Sequence, residues 1–215
     1  MMCRVSEAAL FEEGPVYRVF LSHAVEDFGF AQALATALAA ERLFGFLAPT
    51  DIVPGTEWII TLEGELRRCG ALVALITPAF QRSKWCDHEV GYAMGLGHPV
   101  VPVRIHDTDP PPYGLLGRYQ AITVDGRGAP AVAAEILDAL LAHEHSRPAA
   151  IDTVLDSLAH HREATRVSRY VDRLARIGNV LSDDQRSRIA QLAERHAVLR
   201  LDSDMRTRLS GILEQ

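Results

Sequence analysis

The run Ser83-Lys84-Trp85-Cys86-Asp87-His88-Glu89 sets an aromatic ring and a carboxylate four residues apart, directly after an apolar segment from Ala71 to Thr77. On a helix, positions i and i+4 share a face about 6 Å apart. Trp85 and Glu89 are therefore expected to present a flat apolar wall beside an anion. Ser83 suits an N-cap and Asp87 the first turn, which places Glu89 early in the helix, where the dipole favours its ionised form. Such a pairing suits a ligand with a planar cationic ring.

The same residues have plainer readings. Alone, Glu89 is a solvated helix carboxylate, Trp85 is balanced between core residue and platform, and Trp58, aligned with Leu62 and Leu66, reads as core. Asp51 and Gly55 suit turn geometry, and Ser22 and Asp27 suit helix caps. Cys86-Asp87-His88 makes a poor metal site or nucleophile, because adjacent helix residues point in different directions. His143/His145 and His160/His161 lack i,i+4 ligand spacing, so no metal is expected. Gly91, Gly95 and Gly97 form no GxGxxG after a strand, and GxxxxGK[ST] is missing from the chain.

The elements that must position these groups follow from periodicity. Strand-like runs at Val16–Ser22, Leu43–Leu47, Ala71–Thr77, Val100–Ile105 and Ala121–Val124 alternate with helical patterns at about 27–40, 57–69, 83–97 and one opened by Pro130. This alternation predicts an α/β fold, a flavodoxin-like doubly wound sheet of five parallel strands. In strand order 2-1-3-4-5 the ligand crevice lies between strands one and three, beyond their carboxyl ends. Ser22 and Glu89 then flank it. A linker at 143–149 precedes a small all-helical region: one helix from about Ile151 to Ile177, a second from the Ser182/Gln185 capping box through Leu199, and a third from Ser203 to Leu213. The expected division is an extension at 1–13, an α/β domain at 14–145 and helices at 146–215.

Composition narrows the function classes. The chain has 215 residues, 48% of them hydrophobic, which is ample for a core. Residues 1–145 carry 10 basic and 18 acidic groups and residues 146–215 carry 12 and 10, giving net charges of −8 and +2. Neither part has the basic stripe that nucleic acid requires. Arginine outnumbers lysine 21 to 1, which points to a GC-rich, bacterial coding sequence. Cys3, Cys69 and Cys86 have no paired spacing and read as reduced thiols. With no signal-like start and no apolar run near 18 residues, a cytoplasmic protein without membrane attachment is expected.

Four motifs in order carry a resemblance. Phe20-Leu21-Ser22-His23, Asp51-x-x-Pro54-Gly55-x-x-Trp58, Ser83-x-Trp85-Cys86-x-x-Glu89 and Pro99-Val-Val-Pro102-Val resemble the successive boxes of the TIR (Toll/interleukin-1 receptor) domain family, over about residues 14–143. His23 stands where Tyr is commoner. The resemblance implies NAD cleavage at the nicotinamide–ribose bond, as in bacterial antiphage TIR proteins, giving ADP-ribose or a cyclic signal. NAD is then substrate, and no cofactor is needed. It implies Glu89 as the catalytic carboxylate, with Phe20, Ser22, His23, Asp27, Gly55, Ser83 and Trp85 around the substrate. It also implies homo-oligomers through TIR–TIR contacts at the Asp51–Trp58 loop, with a partner protein or activating ligand as a further possible contact. Two alternatives stand beside it, a non-catalytic TIR adaptor and another flavodoxin-like N-glycosidase such as a deoxyribosyltransferase. The carboxylate discriminates against the adaptor, since adaptors commonly lack Glu at the Glu89 position.

Overall fold

A computed structural model describes residues 17–48, 58–106 and 109–214, with only the helical backbone at 58 and 59. The chain forms two compact units that divide between Ser146 and Arg147.

The first unit is a five-stranded, all-parallel sheet in the order β2-β1-β3-β4-β5. The strands are β1 (Tyr17–Ser22), β2 (Leu43–Leu47), β3 (Ala71–Ile76), β4 (Val100–Arg104) and β5 (Ile122–Thr123). Between them run a 3-10 turn (Val25–Asp27), α1 (Phe28–Ala40), α2 (Trp58–Arg68), α3 (Pro78–Arg82), α4 (Lys84–Gly95), a second 3-10 turn (Gly114–Arg118) and α5 (Ala129–Ala142). This is the predicted doubly wound topology.

Central β3, Ala-Leu-Val-Ala-Leu-Ile, is buried along its whole length, because helices cover both faces of a parallel sheet. Side-chain alternation sorts the faces. Phe20, Leu72, Ala74 and Ile76 pack with Leu62 and Leu66 of α2, Phe80 of α3 and Cys86, Val90 and Ala93 of α4. On the other face α1 packs against α5 and β2. There Gly45 sits so close to α1 that a Cβ would lie 3.0 Å from the Ala35 Cα and 3.2 Å from a Leu21 methyl.

Short α3 follows β3 at once and was not anticipated from periodicity. Thr77 accepts the Phe80 N–H at 3.1 Å and Pro78 fills the first turn, a cap signature legible in Thr77-Pro78.

Among the described residues of the second unit every regular element is helical: α6 (Arg147–His160), α7 (Ala164–Arg176), a 3-10 turn (Gly178–Val180), α8 (Asp183–Arg195), α9 (Ala197–Leu201) and α10 (Ser203–Leu213). Its expected first helix, Ile151 to Ile177, is two helices broken at 161–163. The apolar stripe explains the break. Leu158 and Val167 are nine residues apart, and at about 100° per residue an unbroken helix would set them on opposite sides. The turn brings both into the interior, where each is fully buried. The expected second helix likewise ends at Arg195, and buried His196 begins a new turn. The Ser182/Gln185 capping box is formed, and Gln185 also donates to Asp152, which with Asp156 receives Arg188.

Candidate functional site

The site is built where β1 and β3 end. Ser22 closes β1 and pairs with Ala74 of β3, with its side chain on the face covered by α4. Ser83 accepts the Cys86 N–H at 3.3 Å and so starts α4. That cap fixes the helix phase: Cys86, Glu89, Val90 and Ala93 turn inward.

Glu89 thereby meets β1. The Ser22 hydroxyl donates to Glu89 Oε2 at 2.5 Å, with Ser22 wholly buried and Glu89 only 5% exposed. Burial pushes the Glu89 carboxyl up to about 7, and the Ser22 hydrogen bond opposes that rise. This reverses the expectation that the helix dipole sets its ionisation. Glu89 is the sixth residue of α4, beyond the first turn to which the dipole's influence is confined, so desolvation prevails.

A second hydroxyl-to-carboxylate bond crosses the same crevice in the opposite sense. Thr77, at the end of β3, donates to Asp27 Oδ2 at 2.6 Å, in the turn that follows β1. Burial raises the Asp27 carboxyl and the Thr77 bond opposes it. The two strands and the segments after them are thus laced reciprocally. Thr77 has no place in the residue spacing that singled out the site; its sign is a strand-ending hydroxyl opposite an acid across the switch point.

Trp85 is 44% exposed, its ring edge-on to His88 at a centroid distance of 6.1 Å. It is no core residue. The two residues spaced i,i+4 differ in burial, Glu89 on the inner side of α4 and Trp85 on its exposed margin.

Two other candidates are placed differently from expectation. Phe20 is fully buried with its ring 5.3 Å from that of Phe46, so it forms the floor of the site and offers no surface to a ligand. His23 lies one residue beyond Ser22, where strand alternation sends it to the opposite face. Its Nδ1 bonds the Leu21 carbonyl at 2.9 Å, its ring packs on Phe28 of α1, and burial lowers its basicity. It is not brought to Glu89. Gly55, with the rest of the 51–57 motif, lies outside the described residues, as does the Trp58 side chain.

Cys86, set aside in the sequence as nucleophile or ligand, is buried on the inner side of α4, and burial pushes its thiol up to about 12. It stays protonated and is no nucleophile. A shallow concavity of about 590 Å³ between α2 and α4 is lined by residues such as Arg67, Asp87 and Tyr92, on the outer side of α4. None of the described candidate residues lines it. Among the described residues no cluster of three or more His, Cys, Asp or Glu could hold a metal ion, and no helix is long and apolar enough to cross a membrane.

Residues 19–141 match the family model of the TIR domain. The chain belongs to the TIR domain family. Among solved structures, it is similar to the TIR domain of the Toll-related receptor TRR-2 from the lower metazoan Hydra magnipapillata, at 19% identity and a TM-score of 0.42 over 49% of this chain and 82% of that one. It is also similar to the TIR domains of the activated Roq1 resistosome directly recognizing the pathogen effector XopQ, at 21% identity and a TM-score of 0.38 over 83% of this chain and 98% of that one. No curated protein matches the sequence. The buried Glu89 carboxyl and its partner Ser22 both lie within the matched residues.

Proposed function

We propose that this TIR protein cleaves NAD at the nicotinamide–ribose bond, with Glu89 as the catalytic carboxylate. The TIR family includes NAD-cleaving enzymes, and the observation that carries the reading here is the buried Ser22–Glu89 pair at the topological switch point. Open α/β sheets bind ligands at that place. A carboxyl held near neutrality by burial, with one hydroxyl to orient it, is the kind of perturbed group that active sites collect.

The reaction asks little of the protein. The C1′–N bond of the ribose breaks with its electron pair leaving on nicotinamide, which departs neutral and needs no general acid. Positive charge develops on C1′ and the ring oxygen, as in glycoside hydrolysis. Ionised Glu89, desolvated and fixed, stabilises that charge far better than a carboxylate in water. Water then adds at C1′ and loses a proton to give ADP-ribose, or an adenine nitrogen of the same molecule adds to give a cyclic product. The arriving nicotinamide cation itself favours ionisation of Glu89. Trp85, exposed at the rim, is available to cover the ring.

Incubation of the purified protein with NAD, with nicotinamide, ADP-ribose and cyclic products separated by chromatography, tests the reading. Release of nicotinamide that depends on Glu89 is the expected result. Intact NAD across protein concentrations from nanomolar to tens of micromolar would overturn it.

A further inference from the structure

Asp27 stands at the N-cap of α1, yet its carboxylate makes no capping bond to that helix. It turns instead to the end of β3, where the Thr77 hydroxyl donates to Oδ2 at 2.6 Å. The carboxylate is therefore free of the capping task that its sequence position suggested. We propose that Asp27 receives the 2′- and 3′-hydroxyls of the adenosine ribose of NAD, with Thr77 as its positioning residue, and that this contact selects NAD over its 2′-phosphate, NADP. The assignment rests on the NAD reading above.

Proton inventory locks the Thr77 hydroxyl. Its oxygen accepts the Phe80 N–H at 3.1 Å as the cap of α3, and its one proton is committed to Asp27. With Oδ2 held from β3, the carboxylate plane is fixed. Among the described residues no donor meets Oδ1. Asp27 is also half-buried, where Ser22 is wholly buried and Glu89 nearly so. An anchored, accessible acceptor beyond the carboxyl end of a parallel strand is suited to a ligand hydroxyl.

Strand alternation separates this acid from Glu89. Leu72, Ala74 and Ile76 face α4, and Thr77 is still extended, at φ −135° and ψ 171°, so its side chain leaves on the α1 face. Ser22 and Glu89 meet on the α4 face. Their surroundings differ accordingly: burial and Ser22 set the ionisation of Glu89, whereas the charges felt at Asp27 are those of Glu26, His23 and Asp109. NAD carries two riboses joined by a pyrophosphate. With Glu89 at the nicotinamide ribose, Asp27 is left for the other.

Selectivity then follows from charge. A vicinal diol offers a carboxylate two donors, and a 2′-phosphate replaces one of them with an anion in a place already influenced by Glu26 and Asp109. Arg104, at the end of β4, is engaged with the Asp109 carbonyl.

The test is calorimetric titration of the full chain with ADP-ribose and with 2′-phospho-ADP-ribose, together with nicotinamide release from NAD. Wild type is compared with Asp27→Asn, which leaves the Thr77 cap in place, with Thr77→Val, which keeps volume, with Thr77→Gly, which an N-cap tolerates, and with Thr77→Ser, which keeps donor and cap. Wild type is expected to prefer ADP-ribose to its 2′-phosphate by about tenfold or more, the scale of a hydrogen bond to a charged group, and Asp27→Asn to lose most of that preference. Thr77→Val and Thr77→Gly should bind ADP-ribose about fivefold more weakly, with a smaller preference, and Thr77→Ser should match wild type. A loosened fold weakens both ligands alike, so the ratio of affinities reads the carboxylate itself. A ratio unchanged in Asp27→Asn, wild-type binding in a folded Thr77→Val or Thr77→Gly, or failure of Thr77→Ser to restore binding overturns the proposal, as does a wild type that binds neither ligand. Wild type that shows the expected binding pattern but releases no nicotinamide overturns the enzymatic reading alone.

Discussion

Trp85 and Glu89 stand one helical turn apart on α4 and end in opposite surroundings, the indole 44% exposed and the carboxyl 5% exposed. One residue can therefore be altered at little cost to the fold, and the other carries a charge that the fold itself resists.

Trp85→Ala is expected to leave thermal stability within about 1 kcal/mol of wild type, as for a residue that fills no core space. Its effect falls on NAD. Loss of a cation–π contact of order 1 kcal/mol raises KM about fivefold, and Trp85→Phe retains part of it. Calorimetric melting and initial rates on the same preparations separate the two effects. A large fall in melting temperature for both variants would return Trp85 to the core.

Glu89→Gln keeps the shape of the site and an acceptor for Ser22 but not the charge. Cleavage is expected to fall at least a hundredfold, or about 3 kcal/mol, as for removal of one preorganised electrostatic group. Stability moves the other way. The folded carboxyl is raised from 4.5 to about 7, so between these values the native state holds more protons than the unfolded chain, and stability falls as pH rises through this window. Above pH 7 the buried charge costs about 3 kcal/mol, and Gln avoids that cost. Urea melts should show the variant more stable than wild type at pH 8 and equal to it near pH 4.5.

The wild-type pH profile of kcat/KM is expected to rise through about pH 7 as Glu89 ionises in the free enzyme. The limb disappears from the residual activity of Glu89→Gln. A flat profile from pH 5.5 to 8.5 in wild type would mean that another group carries the chemistry.

Gly45→Val introduces a side chain where even a Cβ lies 3.0 Å from the Ala35 backbone. Backbone gives way less readily than a flexible side-chain end, so α1 and β2 must separate, and destabilisation of about 1–3 kcal/mol is expected. Chemical denaturation measures it, and an unchanged midpoint would show that the contact yields freely.

Specific activity is expected to rise with protein concentration. Glu89 is almost closed off in the single chain, so substrate reaches it only once the rim is rearranged, and contact between copies is a ready source of that rearrangement. A bulky residue at Gly55 should blunt the rise. Constant activity per molecule, with a monomer throughout by light scattering, would count against it.

The strand order was legible because each parallel strand is a continuous apolar run between amphipathic helices, and β3 shows that most clearly. Ser22 and Glu89 were legible as the two sides of the crevice because strand order alone places them there. The ionisation of Glu89 was not, since its burial comes from docking against the end of β1, 67 residues away at Ser22, whereas the dipole argument used local position only. The break at 161–163 was written in the phase of the apolar stripe but masked by good helix formers on either side. His23 was misdirected because its motif, not its place in the strand alternation, suggested a role.

The two crossing bonds, Ser22 to Glu89 and Thr77 to Asp27, tie sheet register to the candidate site. A β-strand displaced by one residue turns each side chain to the opposite face. A single-residue insertion or deletion within β1 or β3 would therefore remove Ser22 or Thr77 from its acid while leaving every one of these amino acids in the sequence. These two strands act as a vernier whose reading is the pairing of each hydroxyl with its acid, so indels confined to them are expected to separate folded proteins from working ones.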